Sequence, residues 1–107
     1  MGRVVELRAR QPRKLPTLHE LVLRVRELAK DSWNVGFDHP HLKERMAQRG
    51  KTMRDVLETL KTGEGVKGPD VDRYGNYRIK LRRCVCGKRT QIVVAVRESD
   101  LTVVTVI

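Results

Sequence analysis

The chain has 107 residues, which is enough for one domain with its own core and no need of disulfides or metal. Lysine and arginine number 23 against 13 aspartate and glutamate residues, so the net charge is +10. This excess favours a polyanionic partner, namely nucleic acid, the ribosome or an acidic protein. The sequence has neither the apolar run of a membrane span nor that of a signal peptide, so we expect a cytoplasmic protein with no membrane partner.

The chain begins with a basic, proline-containing segment that is followed by a helix signal. Residues 1–16 include five Arg or Lys, and we predict a flexible arm there, ahead of a single domain over residues 17–107. Thr17 and Glu20 form the capping-box pattern that opens a first helix. Apolar residues then recur at helical spacing at Leu18, Leu21, Val22, Val25, Leu28 and Ala29.

A connector and a second helix are predicted next. The connector covers residues 31–37, and we expect its two aromatic residues, Trp33 and Phe37, to lie in the core. Asp38 is a good N-cap, and a proline follows in the first turn, where its missing N–H needs no partner. The second helix is therefore predicted from about residue 39 to Gly50.

A third helix makes a short hairpin with the second. Thr52 and Asp55 form a second, weaker capping box, and Gly63 ends the helix. Residues 62–75 then contain four glycines and one proline. We predict the longest irregular segment of the chain there, and loops of that length are often functional.

Three strands complete the domain, in the runs NYRIKLRR, TQIVVAVRE and LTVVTVI. Alternation in the first run places Tyr77, Ile79 and Leu81 on one face and Arg78, Lys80 and Arg82 on the other. The second run is apolar on both faces, which is typical of a strand in the centre of a sheet. We therefore predict an α+β fold, with N-terminal helices packed on an antiparallel sheet of three to four strands.

Two basic rows form the candidate site. On the second helix, His41, Arg45 and Arg49 lie four residues apart and share one stripe. Arginine offers paired donors to phosphate, and histidine can move a proton near neutral pH. With the basic strand face, this row predicts a cleft for a phosphate backbone, flanked by Tyr74 and Tyr77, which could stack on bases. The alternatives are that the helix row is only the polar side of an amphipathic helix, and that the basic strand is an edge strand protected by charge. Tyr77 could also lie in the core.

Other site chemistries have weaker patterns. The carboxylates are not clustered as a two-metal nuclease requires, so we expect no metal and no cofactor. Cys84 and Cys86 could join His39 and His41 in a zinc site, but their spacing is not the usual C-x-x-C. We predict free thiols and no stoichiometric zinc.

The runs HLKERMAQRG, MRDVLETL and VVAVRESDLTVVTVI resemble small bacterial proteins placed with the MqsR and RelE toxins of toxin–antitoxin systems. The similarity covers residues 38–107, and its most specific part is the spacing of His41, Arg45, Met46, Arg49 and Gly50. The resemblance implies a RelE- and barnase-like fold, metal-independent cleavage of mRNA and inhibition by a bound antitoxin. The sequence departs from the MqsR-like Tyr-x-Lys pattern, because Lys80 is present but Arg78 stands at the tyrosine position.

The sequence leaves two functions open. The first is the toxin of a type II toxin–antitoxin system, an endoribonuclease that cleaves mRNA, free or on the ribosome, without metal. For this function we predict His41, Arg45, Arg49 and Lys80 as catalytic residues and Arg78, Arg82, Tyr74 and Tyr77 as RNA contacts. The second is a non-catalytic RNA- or ribosome-binding protein that uses the same charges.

Overall fold

The computed structural model describes residues 15–107, so nearly all of the predicted basic arm lies outside the described part. The helices are α1 (Leu18–Ala29), α2 (Leu42–Arg49) and α3 (Met53–Thr62), and a 3₁₀ turn covers Ser32–Asn34. The strands are β1 (Val35–Gly36), β2 (Glu64–Val71), β3 (Tyr77–Val85), β4 (Lys88–Val96) and β5 (Leu101–Val106). The predicted α+β class is confirmed.

The strands form one five-stranded mixed sheet in the order β1-β5-β4-β3-β2. β2 to β5 pair antiparallel, whereas β1 runs parallel to β5. The predicted antiparallel sheet of three to four strands is therefore corrected, because β2 was predicted to be irregular and β1 adds a short parallel strand at the edge. β4 lies in the middle of the order, as its two apolar faces predicted.

The prediction of an irregular segment over residues 62–75 is wrong for most of its length. β2 occupies Glu64–Val71 and pairs with β3 through two register shifts, on either side of Lys67. Such shifts let an edge strand absorb glycine and proline, which would break a central strand. Within this segment, Gly63 and the short turn after Val71 remain irregular.

Helix α2 begins later than predicted. Its N-cap is His41, in the left-handed region with φ +73°, and not Asp38. The amide of Leu42 donates to the carbonyl of His39 at 3.2 Å, so a turn precedes the helix. Gly50 ends the helix as expected, with φ +65°. His41 therefore stands before the helical row that Arg45 and Arg49 continue.

The core lies between the helices and one face of the sheet. The buried side of α1 packs with buried residues of β3, β4 and β5, including Ile79, Leu81 and Val94. Phe37 packs against this core as predicted. Trp33 does not, because its side chain lies on the 3₁₀ turn and is 90% exposed. No helix in the described range is long and apolar enough to cross a membrane.

The capping box of α3 leads to a prediction on stability. The Asp55 carboxylate accepts hydrogen bonds from the amide (2.8 Å) and the hydroxyl (3.0 Å) of Thr52, and the Asp55 amide donates to that hydroxyl oxygen. The Thr52 amide and hydroxyl hold the pKa of Asp55 below its ordinary value. The Asp55 carboxylate therefore binds a proton more readily in the unfolded chain than in the folded one. The stabilisation by the capping box is complete above the pKa that Asp55 has in the unfolded chain, and it is lost as pH falls through the pKa that Asp55 has in the folded chain.

We expect Thr52→Ala to lower the free energy of unfolding by about 1 kcal/mol at pH 7. The deficit should shrink in acid, because protonated Asp55 no longer accepts these bonds in the wild type. Urea unfolding at pH 7 and near pH 3 measures both quantities. Ser99→Ala, at an exposed loop residue, is the control and should change stability by less than about 0.5 kcal/mol. Equal stability of Thr52→Ala and wild type at pH 7 would contradict the cap.

Candidate nucleic-acid interface

One face of the sheet carries a row of basic side chains. On β3, Ile79 and Leu81 are buried against the helices, and Arg78, Lys80 and Arg82 alternate to the other face and are partly exposed. We call this second face the open face. Cross-strand pairing extends it to Glu64, Lys67 and Asp70 on β2, to Gln91, Val93 and Ala95 on β4, and to Thr102 and Thr105 on β5. None of the helices within residues 15–107 packs on this face, because their buried sides lie in the core on the other side of the sheet.

The two lysines of the open face are available for a ligand. Lys67 on β2 pairs directly opposite Lys80 on β3, and neither forms an ion pair with a carboxylate of the described residues. By contrast, Nη2 of Arg82 lies 2.7 Å from the Glu64 carboxylate. That hydrogen bond raises the pKa of Arg82 further above neutral pH, so the guanidinium stays charged. Like charges opposite each other are unfavourable, which a bound anion would relieve.

A small depression lies among these cations. It has a volume of about 150 Å³, and its walls include Lys67, Asp70, Arg78 and Lys80, with Val93 beside them. Three positive side chains and one carboxylate therefore meet at one place on the open face. Such a group can hold a phosphate and has a carboxylate that could accept a proton.

The turn between β2 and β3 positions Tyr74 at the margin of this surface. One oxygen of the Asp72 carboxylate accepts the amides of Tyr74 and Asn76, each at 2.9 Å. The other oxygen lies 3.3 Å from Nε of Arg78. The pKa of Asp72 is held below its ordinary value by the hydrogen bond from the Asn76 amide, and after it by those from the Tyr74 amide and the Arg78 side chain. The Tyr74 side chain is exposed, and its ring centroid is 6.0 Å from Cζ of Arg73.

Tyr77, the other predicted stacking residue, has a different environment. Its ring is partly buried and packs against the core, on the face of β3 that also carries Ile79. The structure therefore favours the alternative of a core position. Tyr74 is left as the exposed tyrosine of the two.

The predicted cleft between the second helix and the first meander strand is wrong. α2 packs on β5, and its buried residues Leu42 and Met46 join the core on the helix side of the sheet. The basic row of β3 points to the opposite side. The cavities beside the two rows are separate, since Lys80 lines one and His41 lines another.

The His41 side chain has its own local surroundings. It is exposed, and its Nδ1 lies 3.3 Å from the Glu44 carboxylate. A cavity of about 360 Å³ there is lined by Phe37, Asp38, His39, His41, Lys43 and Glu44. Arg45 is half-buried and Arg49 is exposed. The structure thus keeps the three residues of this row on or beside α2, away from Lys80.

The two cysteines lie at the β3–β4 hairpin, where both are exposed and not joined in a disulfide. Cys86 and Gly87 form its two-residue turn, with φ +52° and +78°. Among residues 15–107, no group of three His, Cys, Asp or Glu side chains is arranged to hold a metal ion.

Sequence reasoning missed Lys67 and Asp70. Both lie in β2, within the segment predicted to be irregular. The available signal was the strand-forming valines at positions 66 and 71, which flank the glycine and proline of the register shift.

Fold and site together define a small basic α+β domain with an open, cationic sheet face. A family model matches residues 39–107, from just before α2 to the end of the chain, and the chain belongs to this family, a domain of unknown function (DUF4258). Comparison with curated proteins and with solved structures gives no significant match. Both the open face and α2 lie within the matched region, whereas α1 precedes it.

Proposed function

We propose that the protein binds single-stranded RNA across its open face. The observation that carries the proposal is the pair of lysines, Lys67 and Lys80, that face each other without a carboxylate partner among the described residues. Arg78 and Arg82 lie two residues before and two residues after Lys80 on β3, so they extend the same row on both sides. A phosphate backbone laid along this row would neutralise the two lysines and would share Arg78 and Arg82 with their carboxylate partners Asp72 and Glu64.

The shape of the surface favours a single strand over a duplex. The open face spans β2 to β5 and presents side chains of a sheet, with no helix of the described residues standing out to enter a major groove. Unpaired bases can instead lie against an apolar side chain beside the lysines and stack on an exposed aromatic ring. Val93 and Tyr74 provide these two elements.

The binding is tested by fluorescence anisotropy with a labelled 12-nucleotide oligouridylate at increasing sodium chloride. With four cations in the row, the logarithm of the affinity should fall with the logarithm of salt with a slope of about 2 to 3, since each phosphate contact on a single strand contributes about 0.7. A duplex of the same length should bind more weakly. Absence of binding at about 50 mM salt, or a flat salt dependence, would contradict the proposal.

A second candidate function is metal-independent cleavage of the bound RNA, as in an mRNA-cleaving toxin. The observation that favours it is the depression that brings Asp70 together with Lys67, Arg78 and Lys80. In this mechanism Asp70 accepts the proton of a ribose 2′-hydroxyl, and the 2′-oxygen forms a bond to phosphorus. The bond from phosphorus to the 5′-oxygen breaks, and Lys80 donates a proton to that oxygen. The products are a 2′,3′-cyclic phosphate and a 5′-hydroxyl end.

The remaining cations have an electrostatic role in this candidate mechanism. Arg78 and Lys67 stabilise the additional negative charge that develops on the phosphoryl oxygens. His41 has no part in it, because its ring lies beside Glu44 at the start of α2, on another side of the domain. The general acid–base role predicted for His41 is thus reassigned to the sheet.

The toxin proposal includes an inhibitor and a compartment. We propose that the protein acts in the cytoplasm, where an acidic antitoxin segment covers the open face and competes with RNA for the same lysines. Charge complementarity to a basic face supports an acidic partner.

Growth after induced expression tests cleavage separately from binding. Wild type and His41→Ala should both arrest growth, whereas Asp70→Asn should relieve the arrest and still bind oligouridylate. Normal growth with wild type, or arrest by Asp70→Asn equal to wild type, would exclude this cleavage mechanism. The anisotropy measurement would then be the test of RNA binding, independently of this result.

A further inference from the structure

A second basic cavity lies at the other end of the molecule from the β2–β3 turn. It has a volume of about 280 Å³ and lies between the α2–α3 connection and the β3–β4 hairpin. We call it the hairpin basin. Its walls include Lys51, Asp55, Arg83, Lys88 and Thr90. None of these residues belongs to the open face, so the basin is an independent feature.

The charge in the hairpin basin is mainly positive. Lys51, Arg83 and Lys88 form no ion pair with a carboxylate anywhere in residues 15–107. Nε of Arg83 donates to the hydroxyl of Thr62 at 2.9 Å, which fixes the guanidinium and leaves its two terminal nitrogens for a ligand. Three cations around one carboxylate give the basin an excess of two positive charges.

The one carboxylate of the basin is already engaged. Asp55 accepts the amide and the hydroxyl of Thr52 in the capping box. These bonds, and after them the charges of Lys51 and Lys88, hold the pKa of Asp55 below its ordinary value. Asp55 is therefore ionised at neutral pH, and its position within α3 is set by the cap.

A hydroxyl in the wall of the basin supplies a further hydrogen-bond donor. Thr90 is only 7% exposed, and its side chain makes no hydrogen bond to another residue of the described part. No polar side-chain atom of residues 15–107 is both fully buried and without a hydrogen-bond partner, so the Thr90 hydroxyl is open to the solvent of the basin. Thr90 lines the basin, so its hydroxyl can donate to an acceptor oxygen held there.

We propose that the hairpin basin binds a phosphate group. The terminal nitrogens of Arg83 would donate to two of its oxygens, which is the arrangement that guanidinium favours. Lys51 and Lys88 supply compact positive charges, and the Thr90 hydroxyl donates the remaining bond. The phosphate is either inorganic phosphate or the terminal phosphate of an RNA strand, and the two sources share this chemistry.

The first test is a titration of the ¹⁵N-labelled protein with inorganic phosphate at constant ionic strength. Saturable shifts should concentrate at the amides of Lys51, Lys88 and Thr90. Lys88→Gln should weaken the binding about tenfold and Thr90→Val about fivefold, as expected for a charged and a neutral hydrogen bond. Lys43→Gln removes the same charge from an exposed residue at the start of α2, which lines a different cavity, and should bind like wild type. Thr90→Val should keep the wild-type shift pattern elsewhere, which shows that it folds.

The second test separates the two sources of phosphate. A 5′-phosphorylated oligouridylate that binds more tightly than its 5′-hydroxyl counterpart, with the preference lost in Lys88→Gln, assigns the basin to RNA ends. Equal affinity of the two strands, with inorganic phosphate still bound at the basin, assigns it to free phosphate. Shifts that do not saturate, or an equal loss in Lys43→Gln, overturn the proposal. Because inorganic phosphate is the probe, a failure of RNA binding at the open face does not affect this result.

Discussion

Replacing Lys67 and Lys80 together by glutamine is expected to weaken oligouridylate binding about tenfold at about 50 mM salt. The two side chains face each other across β2 and β3 and have no carboxylate partner among the described residues. Their loss removes two phosphate contacts, so the salt slope should fall by about 1.4. Fluorescence anisotropy at several salt concentrations measures both quantities.

The matched control is the double variant Arg45→Gln, Arg49→Gln. It removes the same amount of charge from α2, on the helix side of the sheet. We expect the control to keep most of the affinity and nearly the whole salt slope, because only non-specific attraction by net charge is reduced. A larger loss in the α2 variant than in the lysine variant would place the RNA on the row that contains His41 and remove it from the open face.

The second large effect is expected for Gly68→Ala, at the register shift of β2. Gly68 has φ +113°, and a Cβ there would lie 2.7 Å from the backbone carbonyl oxygen of Arg78. Neither the dihedral nor the backbone of β3 can adjust cheaply, so we expect the free energy of unfolding to fall by about 3 kcal/mol. RNA affinity should fall too, because β2 carries Lys67. Urea unfolding followed by circular dichroism measures the first effect.

Gly75→Ala is the control that separates strain from steric overlap. Gly75 also has a positive φ, +81°, but a Cβ there would meet nothing within 4 Å. Only the left-handed backbone penalty of about 1 kcal/mol should remain. Equal destabilisation by the two substitutions would mean that β2 does not approach Arg78 as closely as the structure has it.

The local features of β3 could be predicted from the sequence. The alternation of Ile79 and Leu81 with the basic side chains is a property of consecutive residues, and the pleat of a strand converts it directly into two faces. The same holds for α1, where Thr17 caps the helix and accepts the amide of Glu20, and where the apolar spacing marks the buried side.

The candidate site needed information that neighbouring residues do not contain. Whether α2 covers β3 or β5, and on which side of the sheet, is set by how all the elements pack together. The spacing of His41 and Arg45 in the sequence does not indicate where the helix packs on the sheet. β2 was not predicted because the glycines of residues 62–75 are typical of a loop. An edge strand with bulges tolerates the same composition. Trp33 was predicted to be buried from residue type alone, although nothing in its neighbourhood provides a surface for the ring.

The most direct test of RNA binding at the open face is a map of backbone amide shifts in ¹⁵N-labelled protein titrated with oligouridylate. We predict that the shifts concentrate on β3 from Arg78 to Arg82, on the adjoining part of β4 around Val93, and at Tyr74. The amides of α2 should remain close to their free positions. Shifts that centre on Leu42–Arg49, with β3 unchanged, would contradict the account.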